Sequence, residues 1–362
     1  MDIKKPKILS LFSGCGGLDL GFVQEGYNVI WANDNDHWSC ETLKLNFKDC
    51  IVVESDVADI DFNEVPDCDV INGGFPCQDF SIIWKRKGIE TDRGNLYKHF
   101  VRAIKIKNPK IFIAENVKGL LTANSGKAIK QVIDDFQNLN GKSYRLYINI
   151  FNFANYGVPQ IRERVIIVGI RKDIPYRFNK PKPSNNKNNY VTAGEALKGV
   201  DEVKYNNEKI KIKKRTEKII SLIKEGGNFS DIPKDNQYYV NGMISHVYRR
   251  LDRNKPSTTI IAAGGGGTWG YHYEEARPLT NRERARLFSF PDDFVFMGNI
   301  AQVRRQIGNS VPPKGSQAIA KELLNLFNGK YVENNDLQLI EGDALKYIYK
   351  ENLNQLKLIE KL

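Results

Sequence analysis

Four side chains, at three separate places in the sequence, have the types needed for covalent catalysis. Cys77 follows Pro76 at the end of a short apolar run, and a polar, basic, glycine-punctuated stretch (78–97) follows it. A thiolate is a strong nucleophile, and the proline stiffens its approach by fixing φ. The following stretch is long for a connection inside a compact domain and reads as a lid. Glu115 ends another apolar run, 110–114. In Gln160-Ile161-Arg162-Glu163-Arg164, strand alternation puts Gln160, Arg162 and Arg164 on one face, so two fixed positive charges can serve one site and lower the pKa of a nearby thiol. The plainer reading is an inert core cysteine and two arginines in surface salt bridges.

A second group suits a nucleoside. Phe12-Ser13-Gly14-Cys15-Gly16-Gly17 separates an apolar run from a helical pattern. Glycines there let backbone come close to a ligand. The loop has no Walker lysine, and the third glycine of a dinucleotide fingerprint would fall at Asp19. Asp34 and Asp56 end the next two apolar runs. An ionised carboxylate only accepts hydrogen bonds, so Asp34 fits two ribose hydroxyls and Asp56 an adenine amino group. Either aspartate alone reads equally as a helix cap. Together with the glycine loop they point to an adenosyl ligand.

Positioning these groups requires strand ends that meet. Strands are expected at 8–12, 29–32, 51–53, 70–72, 110–114, 144–151 and 165–170, with helices near 18–25, 38–46, 95–106 and 126–138. Strands alternating with helices predict an α/β fold with a doubly wound, mostly parallel sheet, ligands binding at the strands' carboxyl ends. After 177 the chain turns polar and proline-bearing, and α/β rhythm is expected to resume from 277 to about 328. The expected organisation is a catalytic domain of 1–177 plus 277–330, a second, smaller domain of 178–276, and a tail of 331–362 forming an amphipathic helix on the main domain.

The 362 residues carry a formal charge of +11. Residues 178–276 hold 17 Lys+Arg against 11 Asp+Glu, a net of +6, so more than half of the excess lies in this segment and marks it for a polyanion. The five scattered cysteines form no CxxC pair and no metal-type cluster with the four histidines. No metal is expected. With no signal core and no apolar run long enough for a membrane span, a soluble cytosolic protein is expected.

FSGCGG, Asp34, FPCQ, ENV, QIRER, RPLTNRERARLFSFPDDF and QIGNSVP occur in the order found in the DNA (cytosine-5-)-methyltransferases, over about 7–170 and 277–327, which the chain thus resembles. The resemblance implies a Rossmann-like S-adenosylmethionine-dependent methyltransferase that modifies carbon 5 of a flipped-out cytosine through a covalent cysteine adduct. Cys77 matches the nucleophile. Glu115 would hydrogen-bond ring nitrogen 3 and the exocyclic amine, and Arg164 with Arg162 would hold the ring's carbonyl side and the cysteine loop. Phe12, Gly14, Gly16, Gly17, Asp34, Asp56 and Asn309 would form the cofactor pocket, Phe12 stacking on adenine. Phe80 and Ser81 belong to the loop that closes on DNA, with Arg93 meeting a phosphate. The chain departs from the family pattern at Ser10, often Asp, and at Asn35, often a large residue.

The family's variable target-recognition domain falls where this chain turns basic. Four glycines, 264–267, precede aromatic and polar residues, a composition suited to a loop entering a groove, with Gly266 and Thr268 near base edges. Arg249, Arg250 and Arg253 are candidates for phosphate or base contacts. The implied partner is double-stranded DNA, in a restriction-modification system whose cognate endonuclease acts on the same site without a stable complex; the enzyme would act as a monomer. Two other readings are cytosine-5 methylation of RNA and a catalytically silent nucleic-acid-binding regulator.

Overall fold

Uninterrupted apolar runs form the centre of the molecule because both faces of its sheet are covered. The computed structural model describes residues 5–76, 96–139, 143–242, 247–262, 270–332 and 337–349. Its strands are β1 (Lys7–Leu11), β2 (Asn28–Asp34), β3 (Ile51–Glu54), β4 (Val70–Gly73), β5 (Ile111–Val117), β6 (Tyr144–Asn152), β7 (Glu163–Arg171) and β8 (Ile340–Glu341). They make one sheet in the order β3-β2-β1-β4-β5-β7-β6-β8. Only β7 among them runs against its neighbours.

Along each central strand, alternate residues enter opposite cores. Ile8, Val70 and Ile113 join one core, with Leu18 and Phe22 of α1 (Gly17–Gln24) and Leu43 of α2 (His37–Asn46). Leu9, Ile71 and Phe112 join the other, with Phe100 of α3 (Leu96–Lys107) and Phe136 of α4 (Lys127–Gln137). This is the expected doubly wound fold. Because β1 lies between β2 and β4, the strand order reverses there and a crevice opens beyond their carboxyl ends.

The described residues of 178–276 contain two short α-helices, α5 (Ala193–Leu197) and α6 (Lys214–Ser221), and little other regular structure. The packing does not break at residue 178. Phe178, Ala193, Leu197, Leu251 and Ile260 are buried in the first main core, while Ile219, Ile223, Phe229 and Ile232 form a small separate cluster.

Two expectations are corrected. The α/β rhythm does not resume after 277, because the described residues there form helices only: α7 (Asn281–Leu287), α8 (Ile300–Asn309) and α9 (Pro313–Phe327). The GNSVP motif is therefore a helix-to-helix turn. It lies beside the glycine loop: a Cβ on Gly17 would sit 1.9 Å from Ser310 Oγ and 2.4 Å from the Val311 carbonyl. The described part of the tail is not one amphipathic helix. β8 pairs in parallel with β6 as an eighth strand, and the one-turn α10 (Leu345–Ile348) buries Ile348 against the second core. The segment pairs with the β6 edge through its backbone, the Leu146 N–H donating to the Leu339 carbonyl at 2.9 Å, a bond that a helix with its own groups already paired would not supply.

Candidate active site

At the switch point a cavity of about 600 Å³ is lined from both sets of predicted residues, including Phe12, Gly14, Asp34, Asp56, Glu115 and Arg164. Phe12 follows directly on β1 with φ at 52°, an uncommon conformation for a residue with a side chain. Gly14 follows at φ 54°, and its N–H donates to Asp34 Oδ2 at 2.8 Å. Asp34 Oδ1 accepts from the Asp36 N–H at 2.9 Å. Asp34 is thus no helix cap. Asp36 takes that role on α2, accepting from the Ser39 N–H. Burial raises the Asp34 pKa, and the two amide hydrogen bonds oppose the rise.

Asp56 does act as a cap, accepting from the Ala58 N–H at 3.0 Å, but it also lines the cavity. Gly17, Asn309, Ser310 and Val311 line it too. Gly16 does not. It caps α1 in a left-handed conformation, and a Cβ there would fall 2.5 Å from the Phe47 ring, so its place is behind the loop.

The reacting end is built on β4, β5 and β7. Gly74, Phe75 and Pro76 lead along the cavity wall to Cys77, which lies outside the described residues, as do Phe80, Ser81, Arg93, Gly266 and Thr268. Buried Asn116 donates from Nδ2 to the Phe75 carbonyl at 2.9 Å and so anchors the chain just before the cysteine. Glu115 Oε1 lies 2.9 Å from Arg164 Nε, both side chains about 12% exposed. Val117 pairs with Arg164 across the antiparallel β5–β7 ladder, which brings the two side chains together. Burial raises the Glu115 pKa against the opposing charges of Arg164 and Arg162. Burial pushes the thiols of Cys15, Cys40, Cys50 and Cys68 up to about 12, so none of the four suits a nucleophile.

Arg162 differs from the expectation. It is 2% exposed and its guanidinium donates to three backbone carbonyls: Ile260 at 3.1 Å, Gly308 at 2.9 Å and Ser310 at 3.1 Å. It also lies 4.8 Å over the Phe288 ring. Both terminal nitrogens are committed to structure, and burial lowers its pKa to about 9. Gln160 works beside it, accepting the Ile260 N–H at 3.2 Å and donating to the Leu287 carbonyl at 3.3 Å. Arg282 donates to the Tyr205 carbonyl and Arg286 to the Lys198 carbonyl. These residues clip the 178–276 segment to the sheet domain.

The three arginines of that segment also separate. Arg250 is buried and donates to the carbonyls of Ile223, His272 and Tyr273, so it holds fold and not a ligand. Arg253 is paired with Glu225 at 3.0 Å and stacked 4.8 Å over Tyr273. Arg249 lines a second hollow of about 690 Å³, with Asn228, Lys255, Thr258 and Ile161. Three features escaped the sequence reading: Arg305, which pairs with Asp36 at 2.7 Å on the cavity rim; the anchoring Asn116; and Asp19, buried beneath the glycine loop. A polar residue on a helix face that packs on a sheet was the available signal for Asp19. His37, Glu41 and Glu54 are grouped closely enough to hold a cation, but they are largely exposed and pair with one another or with Lys44.

A model of the C-5 cytosine-specific DNA methylases matches residues 6–325. The chain belongs to this family. Its enzymatic activity is that of a DNA (cytosine-5-)-methyltransferase. It is 55% identical over 361 residues to Type II methyltransferase M.NgoFVII of Neisseria gonorrhoeae, covering 98% of this chain and 95% of the relative. It is 42% identical over 338 residues to M.BbvI of Brevibacillus brevis, covering 88% and 90%. Among solved structures it resembles a protein encoded within an E. coli prophage, with TM-score 0.71, 24% identity and coverage of 90% and 100%, and the S. pombe Dnmt2 methyltransferase, with TM-score 0.58, 18% identity and coverage of 89% and 99%. The last two likenesses support the fold alone. No helix among the described residues is long and apolar enough to cross a membrane.

Proposed function

We propose that this methyltransferase modifies carbon 5 of a flipped-out cytosine in a specific sequence of double-stranded DNA, through a covalent adduct with Cys77, as the modifying member of a restriction-modification pair. The observation that carries the reading is the Glu115–Arg164 pair, held at 2.9 Å in the wall of the cavity that the Gly74–Pro76 approach and the glycine loop also line.

The residues fit an adenosyl cofactor. Each Asp34 oxygen takes one backbone N–H and keeps a lone pair for a ribose hydroxyl. Phe12 presents a ring at the cavity, Asp56 a carboxylate, and Gly14, Gly17 and Asn309 the loop and turn that would flank the ligand. When bound, S-adenosylmethionine supplies an electrophilic methyl group.

On the substrate, the Cys77 thiolate forms a bond to carbon 6 and the ring π electrons move toward nitrogen 3. Glu115, its pKa raised by burial, keeps a proton available for that nitrogen and accepts from the exocyclic amine. Arg164 orients Glu115 and faces the ring carbonyl. Carbon 5 would take the methyl group and leave S-adenosylhomocysteine; nitrogen 3 then returns its proton to Glu115, and solvent water accepts the carbon-5 proton as the sulfur–carbon bond breaks and Cys77 leaves as thiolate. Extruding the base costs a few kcal/mol, which pocket contacts must offset. The 178–276 segment reads the duplex, with Arg249 its best-placed arginine, while Arg162 positions that segment. The enzyme acts as a monomer, and a cognate endonuclease needs only the same site, not a stable complex.

A duplex carrying 5-fluorocytosine tests the adduct, since the fluorine cannot leave as a proton does. Wild type forms a species that survives denaturing electrophoresis, and Cys77→Ser does not. Adduct formation by Cys77→Ser overturns the nucleophile, and methyl transfer to transfer RNA in preference to duplex overturns the DNA assignment.

A further inference from the structure

Beneath the glycine loop lies a buried polar cluster that the methylation chemistry does not use. Ser10 on β1 and Asn72 on β4 are register partners on adjacent parallel strands. Their side chains therefore stand together on the sheet face that α1 covers. Asp19, in the first turn of α1, closes over them: Ser10 Oγ donates to Oδ2 at 2.6 Å and Asn72 Nδ2 donates to Oδ1 at 3.1 Å.

Asp19 is 1% exposed, and among the described residues it pairs with no Lys, Arg or His. Burial raises its pKa to about 6, so most of it is still ionised at neutral pH. Asn72 is fully buried, and among the described residues its Oδ1 has no hydrogen-bond partner. An uncompensated buried carboxylate and an idle buried carbonyl are each costly in a folded protein. Both faults have one remedy, a small cation with several N–H donors. Ser10 and Asp19 also line the 600 Å³ cavity, beside Gly14, Gly17 and Ser310.

We propose that Asp19, with Ser10 and Asn72, forms the seat for the α-ammonium group of the cofactor. The inference rests on the S-adenosylmethionine reading and adds to it a group by which this chain recognises the amino-acid end of the ligand. An ammonium has three donors, and the cluster has free acceptor capacity on both carboxylate oxygens and on Asn72 Oδ1.

Calorimetric titration tests this without turnover. Three ligands are compared: S-adenosylhomocysteine, its analogue with hydrogen in place of the α-amino group, and methylthioadenosine, which lacks the amino-acid end. Wild type should bind the desamino analogue roughly 10–100-fold more weakly than S-adenosylhomocysteine, the range for a charge-assisted contact. Asp19→Asn should lose a similar factor for S-adenosylhomocysteine and little for the other two ligands. Ser10→Ala should show the same pattern at several-fold. Equal binding of S-adenosylhomocysteine and its desamino analogue by wild type overturns the proposal, and that comparison does not depend on any variant folding. Equal weakening of methylthioadenosine and S-adenosylhomocysteine in Asp19→Asn would make the cluster merely structural. If wild type binds none of the three, the cofactor reading fails and takes this inference with it; binding of methylthioadenosine with no preference for the amino group fails the inference alone.

Discussion

Replacing Arg162 by alanine should cost fold stability before it costs chemistry, and the size of the loss can be worked out from its contacts. The guanidinium serves three backbone carbonyls, on Ile260, Gly308 and Ser310, and covers the Phe288 ring. A buried acceptor that loses its donor costs about 1–3 kcal/mol. Two terms pull toward the low end. Arg162 borders the cavity, so water can reach the Gly308 and Ser310 carbonyls once it is gone. Its own charge is buried with no carboxylate among the described residues within hydrogen-bonding distance, and removal relieves that penalty. The expected loss is about 3 kcal/mol, a large share of the 5–15 kcal/mol by which domains are stable. Arg162→Lys should recover only part, because one ammonium cannot span three acceptors set for a planar fork. Arg164→Ala should behave oppositely. Its partner Glu115 can neutralise itself by taking a proton, which carbonyls cannot do, so stability falls less while methyl transfer is lost. Guanidinium chloride denaturation of the three variants, alongside methylation of a duplex, gives both quantities. An Arg162→Ala midpoint within about 0.5 kcal/mol of wild type would refute the reasoning, since it would mean the three acceptors find equal partners without the arginine.

In DNA binding, Arg249→Ala should reduce affinity and the steepness of its salt dependence, while Arg250→Ala should lower the melting temperature instead, because its nitrogens serve Ile223, His272 and Tyr273. Filter binding across a salt series separates the two, and equal salt slopes for wild type and Arg249→Ala would count against a phosphate contact. Asp19 should leave a pH signature in the ligand-free protein. Its carboxyl pKa is raised from 3.8 to about 6 on folding, so the native state binds the proton more tightly and stability falls as pH rises from about 4 to 6. Asp19→Asn should remove up to about 3 kcal/mol of that fall and be the more stable protein at pH 7.5, with the advantage vanishing near pH 4. Urea midpoints across pH check this, and a pH-independent difference would contradict it. Gly17→Ala should destabilise by about 1–3 kcal/mol in a thermal melt, since its Cβ would come within 2.4 Å of the Val311 carbonyl.

The central sheet was legible because period and length agreed. The run at 111–114 is apolar on successive residues and the run at 8–12 is broken only by Ser10, which a strand covered on both faces requires, and the observed strands differ from the expected spans by a few residues at their ends. The site's strand-end residues were legible for the same reason: Asp34 and Glu115 are polar at the points where buried runs stop. Direction was not legible. Residues 165–170 read as any buried strand, and only the packed sheet fixes β7 as antiparallel, which is what sets Arg164 against Glu115. Arg162 and Arg164 look equivalent in QIRER, yet one is consumed by backbone carbonyls 98 to 148 residues away, contacts that alternation cannot foresee. The tail misled because Leu345 and Ile348 have helical spacing, while Ile340 finds a hydrogen-bonding edge that no local pattern announces.

The clips between the two parts of the molecule have a bearing on engineering. Arg162, Arg282 and Arg286 hold the 178–276 stretch by the oxygens of Ile260, Tyr205 and Lys198, atoms common to every amino acid. The mount is therefore indifferent to what the mounted piece is made of. Its exposed side chains can be respelled while the sheet domain keeps its alignment, so exchanging such stretches between chains of this fold is a practical step at the bench.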